Sequence, residues 1–457
     1  MPETTVPARV VLADALRVAS SRDFERWAEQ VRRTGGCARP IHLAGSSTIR
    51  DAFTGEILHT YTTTSEPGGR LRVACGNRRA SRCPACAWTY AGDTFHLMRA
   101  GLTGDERRSV PASVATHPKV FATLTAPSFG PVHNRPDTGR CRCGRTHHAD
   151  APELGTPLDP ERYDYAAAVL FNNHAGDLWR RFTIYLRREL ARRLAVPVSR
   201  LRERLRVSYG KVAEYQRRGA VHFHAIIRLD GPNGPDDPPP PAASLDALGD
   251  AITAAARRVE ITVPATGPHP ARVLRWGRQL DIRPITRPGP DTGGPLTDAA
   301  VASYVAKYAT KGAETTGTPD HRIGEIGELD RLALPDHTRR LIHACRDLDP
   351  AYPDRRLWAW AHMLGFRGHF STKSRHYSTT LGTLRRARAE YRAAEQRAHL
   401  DLPEDASTLV LAHWTYAGSG HSPGESWLAA SIARDLRIGR EVAREQLLEL
   451  RAREGTA

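Results

Sequence analysis

Two histidines one residue apart, His222 and His224, follow a glutamate, Glu214, within EYQRRGAVHFHAIIRLD (214–230). Side chains alternate along a strand with a period of two, so Glu214 and Gln216 share one face of a strand and His222 and His224 one face of the next. A tight turn at Arg217, Arg218 and Gly219, centred on Arg218, places Glu214 opposite His222 with side chains roughly 5 Å apart. A lone His-x-His pair is more often just the polar edge of a half-buried strand. With Glu214 in register, one carboxylate and two imidazoles converge, a set that holds Mn²⁺, Fe²⁺ or Zn²⁺ and leaves positions open for a substrate.

A second chemical stretch is ASYVAKYATKG (302–312). At about 100° per residue, Tyr304 and Tyr308 lie one helical turn apart, with Val301 and Val305 beside them and Lys307 and Lys311 on the other flank. In an isolated helix the phenols would simply extend the valine stripe into a core. Beside a metal hairpin they read as chemical groups, with Asp298 suited to cap the helix start and Gly312 its end.

A net charge of +16 and a pI near 9.9 favour a polyanionic partner, although an arginine-rich composition can also reflect coding bias. Each phosphate neutralised by such a surface releases counterions, which favours nucleic acid as partner. Arginine supplies nearly all of this charge. Only five lysines occur, Lys119, Lys211, Lys307, Lys311 and Lys373, and four of them fall in the segments read as catalytic. No basic-then-apolar leader opens the sequence and no run of about 18 apolar residues exists, so a cytoplasmic protein without membrane association is expected.

Seven cysteines in such a chain read as metal ligands rather than disulfides. Cys75, Cys83 and Cys86 in CGNRRASRCPAC form a zinc half-site ahead of a helix expected over 89–99. Cys37 is one candidate for the fourth ligand, which leaves Cys141 and Cys143 to a second site with His147 or His148. Alternatively Cys141 and Cys143 complete the first. Cys345 reads as a small packed residue.

The elements that must position these groups follow from periodicity and punctuation. A helix is expected over 12–33, with Leu16, Phe24 and Trp27 on its apolar side and Gly35 and Gly36 ending it, then a β-rich stretch. VFATLTAP (120–127) is a strand, 131–157 an insert, 164–194 a long helix, 205–216 and 220–229 the hairpin. A helix over 244–258, a strand over 274–285 and a helix over 298–311 follow, and the chain beyond 385 is mostly helical. Strand, helix, strand, strand, helix, strand from Val120 is the split βαβ, ferredoxin-like (βαββαβ) order of an α+β fold with a central antiparallel sheet. Right-handed crossovers place the hairpin strands centrally. Phe366, Phe370 and Tyr377 alternate with Arg367, Lys373 and Arg375, either a surface that stacks bases and tracks phosphates or an amphipathic loop against the core.

VFATLTAP, GAVHFHAI and YVAKYATK resemble the three motifs of rolling-circle initiators of the HUH endonuclease superfamily. With the CGNRRASRCPAC region and HMLGFRGHFSTKSRHYS, the chain is similar to replication initiators of actinobacterial plasmids over roughly residues 12–385. The resemblance implies a metal-dependent, site-specific single-strand nickase and joining enzyme. Glu214, His222 and His224 would hold Mn²⁺ or Mg²⁺, and a tyrosine would form a 5′-phosphotyrosine and a free 3′-hydroxyl. It assigns the first cleavage to Tyr308 and the terminating one to Tyr304, with Lys307 and Lys311 in support. The partners it implies are a plasmid origin, single-stranded or cruciform at the nick site, and the host helicase and polymerase. The corresponding layout is a Cys-rich zinc-binding region (1–112), a catalytic domain (113–315), a basic and aromatic extension (316–384) and a helical C-terminal region (385–457). Two other classes fit parts of the pattern, a zinc-dependent nucleic-acid-binding regulator without catalysis and a two-His-one-carboxylate Fe(II) oxygenase. The helix-bearing element order argues against the barrel the latter usually needs.

Overall fold

A computed structural model describes residues 6–285, 297–400 and 407–454. In chain order its elements are α1 (Ala8–Ala19), α2 (Phe24–Arg33), β1 (Ile41–Asp51), β2 (Ile57–Thr62), β3 (Leu71–Val73), α3 (Pro84–Thr103), β4 (Lys119–Leu124) and α4 (Tyr165–Arg193). Then come β5 (Arg206–Tyr215), β6 (Val221–Asp230), α5 (Leu245–Arg258), β7 (Glu260–Val263), β8 (Arg272–Arg275), β9 (Leu280–Pro284) and α6 (Asp298–Ala309). The chain continues with α7 (Gly327–Arg331), α8 (Asp336–Leu348), β10 (Ser371–Lys373), α9 (Leu381–His399), β11 (Thr408–Ser419) and α10 (Pro423–Glu454). These form two compact units, one of residues 1–90 with 384–457, the other of residues 91–383. Among the described residues no helix is long and apolar enough to cross a membrane.

In the first unit β1 is flanked by β2 and β11, and β3 also pairs with β1. Every residue of β1 finds a partner on β11, from Ile41 opposite Ser419 to Asp51 opposite Thr408, with one irregularity that leaves out Ala417 of β11. That strand was not foreseen in the mostly helical tail. The helix expected over 12–33 is two helices, α1 and α2. Ser20 Oγ donates to the Leu16 carbonyl and Ser21 Oγ accepts from the Asp23 N–H, and such side-chain bonds compete with the helical ladder. Leu16, expected on the apolar side, is 62% exposed, whereas Trp27, Ala28 and Val31 are buried with Val18 and Ala429.

The second unit is built on a five-stranded antiparallel sheet in the order β10-β5-β6-β4-β9. β6 is its central strand and β10 covers the outer edge of β5, so the hairpin lies inside the sheet. Odd-numbered residues of β6 face α4, as the Phe223 ring 5.9 Å from that of Trp179 shows. Even-numbered ones, His222 and His224 among them, face the opposite side, where α6 packs. The strand expected over 274–285 is interrupted. β8 leaves the sheet to pair with β7, and only β9 joins β4. Gly277 marks the break, its backbone so close to β4's continuation that a Cβ would stand 2.7 Å from the Ala126 carbonyl oxygen. The start of α6 is capped by Thr297, which accepts from Ala300 N–H, rather than by Asp298. The Gly/Pro-rich stretch 286–296 lies outside the described residues.

The fully buried Asn172 of α4 ties the hairpin turn in place. Its Nδ2 donates to the carbonyls of Gly219 (2.8 Å) and Leu364 (2.9 Å), and its Oδ1 accepts from Val221 N–H (2.9 Å). Removing the amide leaves three buried backbone groups unpartnered, each costing about 1–3 kcal/mol. We expect Asn172→Ala to lower stability by about 3 kcal/mol or more in chemical denaturation, and to lower metal retention at the hairpin with it.

Candidate functional site

The β5–β6 ladder places Glu214 opposite His222 and Val212 opposite His224. The turn between them uses Gly219 at φ +75°, a left-handed conformation that glycine takes without strain, and Gly219 N–H donates to the Gln216 carbonyl. Glu214 Oε2 lies 2.9 Å from His222 Nε2 and 2.9 Å from His224 Nε2. The three donor atoms are thus close enough together to hold one cation. Burial would raise the Glu214 carboxyl, but the bonds to the two imidazoles outweigh it and bring it down to about 2. Burial pushes His224 down against the opposing pull of Glu214, which keeps the imidazole neutral as a metal ligand requires.

Two residues of β4 orient His224. Thr123 pairs with it across the ladder, and its Oγ1 lies 3.0 Å from His224 Nδ1, leaving Nε2 to face Glu214. Such outer contacts fix the ring and tautomer of a ligating histidine. Phe121 stacks on the other side, ring centroids 5.5 Å apart and nearly parallel. The alternation of VFATLTAP puts Phe121 and Thr123 on one face, but only the register shows that they meet His224.

α6 brings both tyrosines to the triad. Tyr304 Oη is 3.4 Å from His224 Nε2, the Tyr304 and Tyr308 rings are 4.7 Å apart, and Tyr308 lies 5.8 Å from the His224 ring. Val301 and Val305 are buried beneath them. Burial raises both phenols above their usual range, helped at Tyr304 by the bond to Tyr308 and at Tyr308 by the charge of Glu214. Lys311 Nζ stands 4.8 Å and Lys307 Nζ 5.8 Å from the Tyr308 ring centre, so positive charge sits on that phenol. The lysine clustering noted in the sequence has two causes. Lys119 and Lys211 are buried, the first donating to the Ala115 carbonyl (2.6 Å) and the second lying over the Phe223 ring (3.7 Å).

The cysteines gather in two groups. Cys37, Cys75, Cys83 and Cys86 converge, with sulfurs 3.6 Å apart for Cys75 and Cys86 and 3.7 Å for Cys37 to Cys83 and to Cys86. Four sulfurs at about 2.3 Å from a tetrahedral centre stand about 3.8 Å apart, so this spacing fits a metal. The Cys75 N–H donates to Cys37 Sγ and the Ala38 N–H to Cys83 Sγ, bonds that favour thiolates. Cys141 and Cys143 gather separately with His147 and His133. His133 was missed because it stands eight residues ahead of Cys141 with no motif spacing. His148, the other candidate, is exposed and pairs with Asp150. Cys345 is fully buried in the core.

The base-stacking reading of 366–377 is corrected. Phe366, Phe370 and Tyr377 are core residues at 1%, 5% and 0% exposure, and Tyr377 Oη donates to the Met98 carbonyl. Their apolar area is worth more against α3 and β5 than in solvent. Arg367 donates to the Asp354 carbonyl and half-buried Lys373 to those of Ser374 and Arg375, while Arg375 itself is exposed.

Both sulfur-containing groups make a metal-content prediction. Cys83→Ser and Cys143→Ser are each expected to remove one metal equivalent, measured by elemental analysis of chelator-free protein, and Cys83→Ser to lower stability because binding is coupled to folding. Metal-replete protein carrying no stoichiometric metal would overturn both sites.

A family model described as "Replication initiator protein, pSAM2" matches residues 23–434. A protein of Streptomyces ambofaciens named "Replication initiator protein" is 64% identical over 461 residues, covering all of both chains. No solved structure matches. The match spans the hairpin, α6 and both cysteine groups, and the chain belongs to the pSAM2 family of replication initiators.

Proposed function

We propose that this initiator is an HUH-type endonuclease that nicks and rejoins one strand of a plasmid origin to start rolling-circle replication. The observation that carries the reading is the meeting of a Glu-His-His triad with two tyrosines on one face of the sheet. The topology supports it. β4 and β5 run parallel with β6 between them, and β6 and β9 run parallel with β4 between them, the order two interlocked βαβ units give in a ferredoxin-like sheet. That sheet is not the barrel expected of an Fe(II) oxygenase. The catalytic segment is 113–315, with the insert 131–157. Residues 316–384 complete its sheet through β10, residues 1–112 and 385–457 are accessory, and the protein acts in the cytoplasm with the host helicase and polymerase.

Glu214, His222 and His224 fit Mn²⁺ or Mg²⁺, which when bound polarises the scissile phosphate and neutralises charge on its oxygens. The residues of the chain do the rest. Tyr308 Oη attacks phosphorus in line; as the Oη–P bond forms the P–O3′ bond breaks, the phenol proton passes to solvent, and the 3′-oxygen takes up a proton from solvent and departs as the free hydroxyl. The product is a 5′-phosphotyrosine that stores the phosphodiester bond for rejoining. Its raised phenol is protonated at neutral pH, and Lys311 and Lys307 stabilise the negative charge that develops on it. Tyr304 shares the site and lacks this lysine pair over its ring, which suits it to the later, terminating cleavage. The cysteine groups hold structural Zn²⁺.

The test uses an oligonucleotide carrying the origin strand of the element that encodes the protein. Tyr308→Phe should lose the covalent protein–DNA adduct entirely, and Tyr304→Phe should still form it but fail to release unit-length product. Adduct surviving in the double variant would remove α6 from the chemistry. EDTA or His224→Ala should abolish cleavage and spare binding to within about threefold, since phosphate contacts dominate affinity.

A further inference from the structure

A groove of about 620 Å³ opens at the tip of the β5–β6 hairpin, between the insert and residues 277–279. We propose that it takes the sugar-phosphate backbone of single-stranded DNA flanking the cleaved bond, and that the His133, Cys141, Cys143 and His147 group is a metal knuckle holding its outer wall; the cleaved bond in this statement rests on the nickase reading.

Charge comes first. Among the described residues the lining includes Arg135, Arg142, Arg217, Arg218 and Arg278, and no aspartate or glutamate. Arg218 is committed to structure, donating to the carbonyls of Ala126 and Pro127. Arg135, Arg142, Arg217 and Arg278 are exposed. Arg135, Arg142 and Arg278, with the donors that Arg217 does not spend on the Ala149 carbonyl, form a track for phosphates along one concave surface. The groove adjoins the smaller cavity bounded by Glu214 and Lys311, because Arg217 lines both. A strand leaving that cavity past Arg217 enters this track.

The walls are rigid where backbones meet. At Gly155 of the insert, φ +89°, a Cβ would stand 2.6 Å from the backbone of Arg217, and Arg217 Nη2 donates to the Ala149 carbonyl of the insert (2.7 Å). Arg142 lies between two of the knuckle's sulfur ligands and Arg135 two residues after its His133. In the knuckle, Cys143 Sγ is 3.3 Å and His133 Nδ1 3.3 Å from His147 Nε2, while His147 Nδ1 is held by Glu153 at 3.2 Å, an outer contact of the kind that orients a ligating histidine. A metal there fixes an insert that is otherwise loop. A single strand is favoured over a duplex because the surface is a concave groove without a helix or ribbon to enter a DNA groove. Asn134, Gln216 and Gln279 offer amides, and among the described residues no Phe, Tyr or Trp lines the groove, so the site grips backbone rather than stacking bases.

The probe is a 30-mer of deoxythymidine, which has no origin sequence, binding full-length protein in fluorescence anisotropy at several salt concentrations. Each phosphate contact to a single strand contributes about 0.7 to the slope of log affinity against log salt. The Arg135→Ala, Arg142→Ala, Arg278→Ala triple variant should bind about tenfold or more weakly and lose about 2 from the slope. The corresponding triple lysine variant should keep the slope, and circular dichroism with metal content shows whether each variant is folded. Cys143→Ser should lose one metal equivalent and part of the same slope, whereas Cys83→Ser should not change it. An unchanged slope in the triple alanine variant overturns the groove, and so does an equal loss on a 30-base-pair duplex. A full slope in metal-depleted Cys143→Ser overturns the knuckle's part. Adduct formation on the origin strand is scored separately in the wild type, so failure of the nickase reading appears there and failure of the groove appears in the thymidine slope.

Discussion

The site depends on the register between β5 and β6. A strand shifted by one residue turns every side chain to the opposite face, so a single slip would bury Glu214 against α4 and carry it away from both imidazoles. Several contacts forbid that slip. The turn at Gly219 fixes where the pairing starts, Asn172 binds the backbone at that glycine and at Val221, where β6 begins, and β4 and β10 pair along the outer edges of the two strands. Hydrophobic patterning adds to this, because Phe223, Ala225 and Ile227 are buried against the helical layer and leave the even-numbered positions to the polar face.

On that face the charges are arranged before any ligand arrives. A carboxylate half withdrawn from water is costly unless it is paired, and here two imidazoles supply its partners. The same withdrawal opposes ionisation of the phenols, so the site holds its anion where a cation would sit and keeps the tyrosines protonated beside it. Strands carry the candidate ligands and a separate helix the proposed nucleophiles. The first set is held by a hydrogen-bonded ladder and the second by the packing of Val301 and Val305.

Local pattern carried much of this. The hairpin, its turn and the Glu214–His222 pairing were legible because strand alternation and a glycine turn are short-range, and the Tyr304–Tyr308 turn because helical spacing is. Thr123 and Phe121 were not, since their partner is 101 and 103 residues away and only the sheet order brings them together. His133 needed the fold of the insert. The aromatics of 366–377 left two readings open because alternation with arginines looks alike for a loop lying on a core and for one presenting rings to solvent, and the first is the one found. What decides between them is Gly101 and Gly210, whose missing side chains make room for Tyr377.

The pairing of β1 with β11 sets a schedule for synthesis. The cysteines of the first unit and β1 leave the ribosome early, yet β1's longest partner is made more than 350 residues later, and His421, at the end of that partner, closes on the Cys37 carbonyl at 3.0 Å. The sheet of the second unit contains no residue outside 91–383 and can form as soon as β10 has emerged. The unit that begins first therefore finishes last, its two segments separated in sequence by the whole of the other unit. A chain interrupted late in translation would carry the triad and both tyrosines on a complete sheet while its four-cysteine unit stood half built.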